Sequence, residues 1–379
     1  MTVAVALIVK NEELTLPRCL ASIEGAVDEI VVVDTGSEDR TKAIAAAHGA
    51  HVFDFAWRDD FAAARQFAFD QATTDWVFWL DADDVVLGAE HIKPETYAAP
   101  ADVHAFYWRY VLGRNTDGEP TFIYWRERCV RNDGSHRWIG RVHEVLVPDA
   151  PGATIRSESV VVEHHPDPAR AGHSQRNLRI LDDEYRATGG KLEPRMLFYL
   201  GRELADYGQP ERAVEVLAQC VRDSRWDDER YLAQIRIAEL FRSTGEQERA
   251  IDAYLDALKI HPTWPDAYFG LAGLYYFRQD WPKVRHWADV GRSLPPPQTL
   301  LFVNRRAHTY DWLIYYTNAL YHLGDLGAAL AWTRHALDLS PDDQWHRYNL
   351  TYFQDALAAR ALPAGVSSPA EEALITPAS

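Results

Sequence analysis

A chain of 379 residues is long enough for two domains with cores of their own. With 47% hydrophobic and 25% charged residues it has the composition of a soluble protein, and its net charge of −17 works against broad, non-specific nucleic-acid binding, which phosphate neutralisation drives. Cys19, Cys129 and Cys220 are odd in number and far apart, which suits neither a disulfide framework nor a clustered metal site and points to a reducing compartment. The opening MTVAVALIVKNEE has too short an apolar run for a signal peptide or a membrane span, so a cytoplasmic protein is expected.

Short β-branched runs alternate with helical stretches over roughly the first 100 residues, the grammar of βαβ units on a parallel sheet. Val3 to Val9 reads as a strand, followed by the polar turn Lys10-Asn11-Glu12-Glu13 and a helix over Leu16 to Ile23. Ile30 to Val33 is a second strand ending at Asp34. Thr35-Gly36-Ser37 then turns into a helix with Ser37 as its expected cap and Glu38 and Asp39 in its first turn. A third strand near His51 to Phe55 leads through Asp59-Asp60 into the helix FAAARQFAFDQA. Trp76-Val77-Phe78-Trp79-Leu80 is the nearly continuous apolar run of a strand buried on both faces, and it ends in Asp81-Ala82-Asp83-Asp84. From Val103 to Val162 aromatic, alternating stretches read as strands whose ends periodicity does not resolve.

From about Pro194 the pattern becomes helix-turn-helix. Gly245, Ala250, Tyr254, Ala257 and Pro262 have tetratricopeptide-repeat spacing in a copy starting at Tyr231, and the next copy starts at Pro265, about 34 residues on. An earlier copy starts near Pro194 and a later one near Tyr310, with a helix over Trp345 to Ala359 expected to cap the stack. The tail from Pro363 reads as disordered. The expected domains are therefore 1–190 and 191–362, with 363–379 as tail.

Acids emerging where a buried strand ends lie where open α/β sheets bind ligands. A divalent cation with a polyphosphate would neutralise that crowd of carboxylates. Mg²⁺ and Mn²⁺ prefer oxygen ligands, and on an extended segment Asp81 and Asp83 share one face while Ala82 points away. Asp83 is the stronger choice for direct metal contact. Asp81 either binds ribose or reaches the metal, and Asp84 serves the acceptor or caps the next element.

In that order and spacing, LIVKNEE, EIVVVDTGSEDRT, DDFAAARQ and WLDADD resemble family 2 glycosyltransferases of the GT-A fold, an α/β Rossmann-like nucleotide-sugar domain. With RVHEVL, VVVEHH and the all-α repeats, the whole resembles the subgroup with a tetratricopeptide tail that includes bacteriocin-peptide and protein glycosyltransferases. The resemblance implies inverting transfer from a nucleotide sugar, usually UDP-linked, with Mn²⁺ or Mg²⁺. By the same resemblance Asp34 contacts the nucleoside, Arg65 faces the donor, and Asp60 matches a donor-site position. The backbone near Val9, with Asn11 or Glu12, would edge the uracil. Glu144, of the His143-Glu144 pair, is the best general base, with Asp84 its nearest rival, and His143 is placed with the donor-site residues. Neighbours on a regular strand face oppositely, so only one of the pair would enter the site. His164 and His165 match a family histidine that completes the metal shell or touches the diphosphate, and Pro166-Asp167 replaces the glycine-tyrosine that usually follows.

The leading expectation is a glycosyltransferase whose repeats present or recruit a peptide or protein acceptor, with self-association through the repeats as a further expectation. A hydroxylated DNA base or a cell-envelope glycan is the alternative acceptor. A non-catalytic repeat scaffold is the alternative of another class, against which the joint retention of Asp34, Asp81, Asp83 and Glu144 argues.

Overall fold

Successive side chains of β1 (Val3–Val9) point to opposite faces of a sheet, and both faces are covered. Val3, Val5, Leu7 and Val9 pack with Leu16, Cys19 and Leu20 of α1 (Leu16–Ala21) and Ala45 of α2 (Thr41–Ala47). Ala4 and Ala6 pack with Ala62, Ala68 and Phe69 of α3 (Phe61–Gln71). Such two-sided cover explains why β1, β2 (Glu29–Asp34) and β4 (Trp76–Leu80) read as apolar runs, the last with all five residues buried. In this computed structural model the described residues are 1–93, 102–114, 120–167, 175–297, 299, 301 and 304–360. The expected tail from Pro363 lies outside them.

The remaining strands are β3 (His51–Asp54), β5 (Asp84–Leu87), β6 (Val103–Arg114), β7 (Pro120–Arg131), β8 (His136–Ile139), β9 (Val145–Pro148) and β10 (Ala153–His164). They form an eight-stranded mixed sheet in the order β3-β2-β1-β4-β7-β6-β10-β5, plus the hairpin β8-β9. Strands β1 to β4 pair in parallel, whereas β7 meets β4 antiparallel and β5 meets β10 antiparallel. The chain moves outward from β1 to β2 and β3, then returns across to β4. The gap beyond the carboxyl ends of β1 and β4 is thus a topological switch point, where α/β sheets bind ligands.

Two compact units divide inside α5 (Pro194–Asp206): the first is Met1–Glu203, with α4 (Arg176–Ala187), and the second begins at Leu204. The sequence reading placed that junction at 190/191. The second unit is helical: α6 (Pro210–Asp223), α7 (Asp227–Ser243), α8 (Gln247–Ile260), α9 (Asp266–Phe277), α10 (Trp281–Arg292), α11 (Arg305–Thr309), α12 (Leu313–His322), α13 (Leu326–Leu339) and α14 (Gln344–Arg360). Gly208, Gly245, Gln279 and Gly324 sit at the turns inside successive helix pairs with φ of 72°, 81°, 58° and 84°. That left-handed position ends the first helix of each pair and suits glycine. No helix among the described residues is long and apolar enough to cross a membrane.

One local expectation is corrected. Ser37 does not cap α2, which begins four residues later. Its hydroxyl accepts from Asn11 N–H at 2.8 Å, and Asp39 Oδ1 accepts from Thr41 N–H at 2.9 Å instead.

Candidate active site

A cleft of about 590 Å³ opens at the switch point, lined by Val9 to Glu12 after β1, Asp81 to Asp83 after β4, and by Thr35, Trp57, Phe61, Arg65, His164 and Arg176. Its size is within the range that holds a cofactor-sized ligand.

The acids after β4 form a turn rather than an extended segment: Asp84 N–H donates to Asp81 O at 3.0 Å, and Ala82 lines the cleft beside both neighbours. Each carboxylate has its own partner. Asp81 Oδ1 accepts from Arg65 Nη2 at 2.5 Å. Burial would raise its pKa, but Arg65 and then Arg128 outweigh it and hold the group below the usual carboxylate range. Asp84 is wholly buried and accepts from Arg128 Nη1 at 3.2 Å, Tyr110 OH at 2.9 Å and Asp81 N–H at 3.0 Å. This corrects the expectation of Asp84 as an acceptor-side base, because a saturated, buried carboxylate has no path to a substrate proton. Asp83 has no arginine within ion-pair distance among the described residues, and its Oδ1 is 3.5 Å from His164 Nδ1.

Asp83, Asp84 and His164 are the acidic and imidazole group whose ligand atoms lie within 4.8 Å of one another among the described residues. His164 Nδ1 is buried without a hydrogen-bond partner among those residues, 3.5 and 3.8 Å from the two carboxylates. Burial would lower the imidazole's pKa, yet Asp83 and Asp84 raise it to about 10, so the pocket favours positive charge. With Asp84 already held by Arg128 and Tyr110, the Asp83 carboxylate and the orphaned imidazole nitrogen beside it are the donors that would suit a divalent cation. His165 is placed elsewhere, which corrects its candidacy: Nε2 lies 3.2 Å from Glu163 Oε2, while its N–H donates to Asp83 O at 2.8 Å.

The other donor-side candidates divide. Asn11, at φ 57°, accepts from Glu38 N–H at 2.8 Å, and Glu12 Oε2 accepts from Thr15 Oγ1 at 2.6 Å; both line the cleft. Val9 O accepts from Thr35 N–H at 2.9 Å and from its hydroxyl at 3.0 Å. Asp34 is 1% exposed and outside the cleft lining. Its Oδ2 caps the turn at Gly36 and Ser37 (3.0 and 2.9 Å), and Oδ1 is buried without a partner among the described residues. Asp60, expected at the donor, caps α3 through Ala63 N–H at 2.8 Å and lines no described cleft.

A second cleft of about 290 Å³ adjoins the first and shares Phe61, Arg65, Asp81 and Arg176 with it. Glu144 lines only this second cleft, and Asp83 and His164 only the first. Glu144 Oε1 accepts from Arg65 Nε at 2.5 Å. Arg65 is 6% exposed and sits over the rings of Trp79 and Trp138. The segment between β8 and β9 is not a strand. His143 has φ 53°, so the pair does not split across a pleat and both residues line the second cleft. His143 stacks on Tyr199 of α5 at 3.8 Å, away from the donor side where it was expected.

Sequence reasoning passed over Lys10, Trp57, Arg126 and Arg176, which line the clefts, and Arg128, which neutralises Asp84. Trp57 in the polar stretch WRDDF was the available signal, since an aromatic in a turn wants a partner. Its Nε1 donates to Asp59 Oδ1 at 3.0 Å. Nothing local marks the arginines, because their partners lie far along the chain: Asp84 for Arg128, the Glu144 carbonyl for Arg126 and the Phe61 ring for Arg176.

The glycosyl transferase family 2 model matches residues 4–115, and a TPR repeat model matches residues 238–277. A TPR repeat-containing protein of Synechococcus elongatus is 32% identical over 269 residues, 68% of this chain and 66% of that protein. The prophage-derived glycosyltransferase SunS of Bacillus subtilis is 24% identical over 241 residues, 61% of this chain and 56% of SunS. The lipopolysaccharide core biosynthesis glycosyltransferase LpsC of Rhizobium meliloti is 30% identical over 166 residues, 40% of this chain and 59% of LpsC. The matched region thus spans about three-fifths of the length of these relatives.

Proposed function

Taking as premise that this chain carries a family 2 glycosyltransferase domain followed by tetratricopeptide repeats, we propose that it transfers a sugar, with inversion, from a UDP-sugar to a peptide or protein side chain. The observation that carries this reading is the two-sided site: Asp83 and His164 on the first cleft, Glu144 on the second, with Arg65 and Asp81 shared between them. Inverting transfer needs that layout, because the attacking group must approach the anomeric carbon from the face opposite the leaving diphosphate.

Asp83 and His164 would hold Mn²⁺ or Mg²⁺, whose chemistry is to neutralise the leaving diphosphate. Lys10 and Arg176 bring side-chain cations to the same cleft. The turn after β1 would edge the base. On the other side Glu144 takes the acceptor proton as the acceptor oxygen bonds to the anomeric carbon. The carbon–oxygen bond to the β-phosphate breaks and its electron pair leaves with UDP. Tyr110, Tyr124 and Trp79 give that side aromatic walls. The repeats favour a polypeptide acceptor, while similarity to LpsC favours a second reading, an envelope glycan.

The test incubates the protein with UDP-glucose, UDP-galactose and UDP-N-acetylglucosamine, with Mn²⁺ or EDTA, and measures released UDP. Metal-dependent release that is lost in Asp83→Ala is expected, and full activity after confirmed metal removal would contradict the metal assignment. Mass spectrometry of host proteins and envelope glycans incubated with the active donor then decides between the acceptors.

A further inference from the structure

Arg65 lies where the two clefts meet, and its one guanidinium holds a carboxylate of each. Nη2 donates to Asp81 Oδ1 and Nε to Glu144 Oε1, both at 2.5 Å. The side chain is 94% buried, with its guanidinium 4.5 Å from the Trp79 ring and 5.2 Å from that of Trp138. Those indoles are themselves locked: they meet edge to face at 5.4 Å, and Trp79 Nε1 donates to Glu127 O at 2.7 Å. Burial by itself would make the guanidinium easier to deprotonate, but Asp81 and Glu144 outweigh it and keep the cation charged. A planar fork stacked in this way has a set orientation, which a lysine ammonium would lack.

We propose that Arg65 is a positioning residue for the acceptor side. It fixes Glu144 through Oε1, leaves Oε2 as the proton-accepting oxygen, and registers that oxygen against the donor-side carboxylate Asp81. The two carboxylates follow different strands: Asp81 comes directly after β4, and Glu144 lies in the irregular segment before β9. Among the described residues no backbone hydrogen bond joins the two segments, and the guanidinium supplies that link. Its role goes beyond facing a donor, and it rests on the reading of Glu144 as base. The other charged or titratable groups lining Glu144's cleft are Arg126, Arg176, His143, Tyr110 and Tyr124, with Asp81 across the guanidinium.

The test is a double-mutant cycle in kcat between Arg65→Gln and Glu144→Gln. It uses whichever of the three UDP-sugars above the full chain turns over with Mn²⁺, and water as the acceptor. Arg65→Gln should lower kcat roughly 10- to 100-fold, the scale of a misplaced reacting group, while the donor KM moves far less. In the Glu144→Gln background the same change should cost almost nothing, because the residue acts through Glu144. Arg65→Lys carries the same cycle should the glutamine variant not fold. Equal losses in both backgrounds, or a donor KM that moves as much as kcat, would overturn the positioning role and leave the proposed function standing. Absence of any donor turnover by the wild type would overturn both.

Discussion

Asp81, Asp83 and Asp84 are close neighbours in sequence, yet each is held by a different group, and that separation is what makes the crowding tolerable. Arg65 holds Asp81, Arg128 and Tyr110 hold Asp84, and Asp83 faces His164. Stability and activity should therefore come apart along this short segment. Asp84→Asn leaves the fully buried Arg128 cation uncompensated, and urea unfolding should show a loss of roughly 3–5 kcal/mol. Asp83→Asn, on a side chain 26% exposed, should change stability by less than about 1 kcal/mol while removing metal-dependent turnover. Comparable losses of stability in both variants would contradict this division. The acids themselves were legible because they end a wholly apolar strand. Their partners were not: Arg128 is one basic residue in an aromatic, alternating stretch, and only the pairing of β7 against β4 brings it to Asp84.

At the scale of elements, the helix pairs were the most readable part of the chain, because glycine, alanine, aromatic and proline recur in step. The copy starting at Pro265 departs at one point. Where its neighbours have Gly208, Gly245 and Gly324, it has Gln279, at φ 58°. A side chain in that conformation costs roughly 1–2 kcal/mol, of which glycine's extra freedom in the unfolded chain would return about 0.5–1. Gln279→Gly should therefore raise stability by about 0.5–1 kcal/mol in urea unfolding, and a lower stability would count against a strained turn. The second unit should also weaken in acid. His346 is 2% exposed, with Nδ1 near Asp343 Oδ1 (3.1 Å) and Nε2 buried without a partner among the described residues. Burial lowers its pKa below the ordinary 6.5, and Asp343 only partly offsets that. The neutral ring's contribution is then complete above 6.5 and is lost as the pH falls through the lowered folded value. Tm should drop as the pH falls below about 6.5, and His346→Gln should flatten part of that drop. An identical pH dependence in the variant would contradict the assignment. The segment between β8 and β9 was the opposite case. RVHEVL reads as a strand, and the left-handed His143 shows in no periodicity, since its conformation depends on the stack against Tyr199.

For the whole molecule, helical grammar beginning near Pro194 drew the domain junction at 190/191, but packing carries the first unit on to Glu203. Tyr199 stacks on His143 at 3.8 Å, and Glu203 lies 3.6 Å from the same ring, so α5 supports the acceptor side of the catalytic unit. A fragment ending at Lys191 should unfold at lower temperature than one ending at Asp206, and equal Tm values would count against that support. Above these details stands one claim: a donor side and an acceptor side, separated by Arg65 and Asp81, divide binding from proton transfer. Its most direct test measures Mn²⁺-dependent UDP affinity and kcat together in Asp83→Asn and Glu144→Gln. The account predicts that Asp83→Asn loses metal-dependent UDP binding. It predicts that Glu144→Gln keeps that binding close to wild type while kcat falls by roughly 10²–10⁴, the loss expected from removing a positioned base. If Glu144→Gln weakens UDP binding in proportion to its loss of rate, the two sides are not separate and the account is wrong.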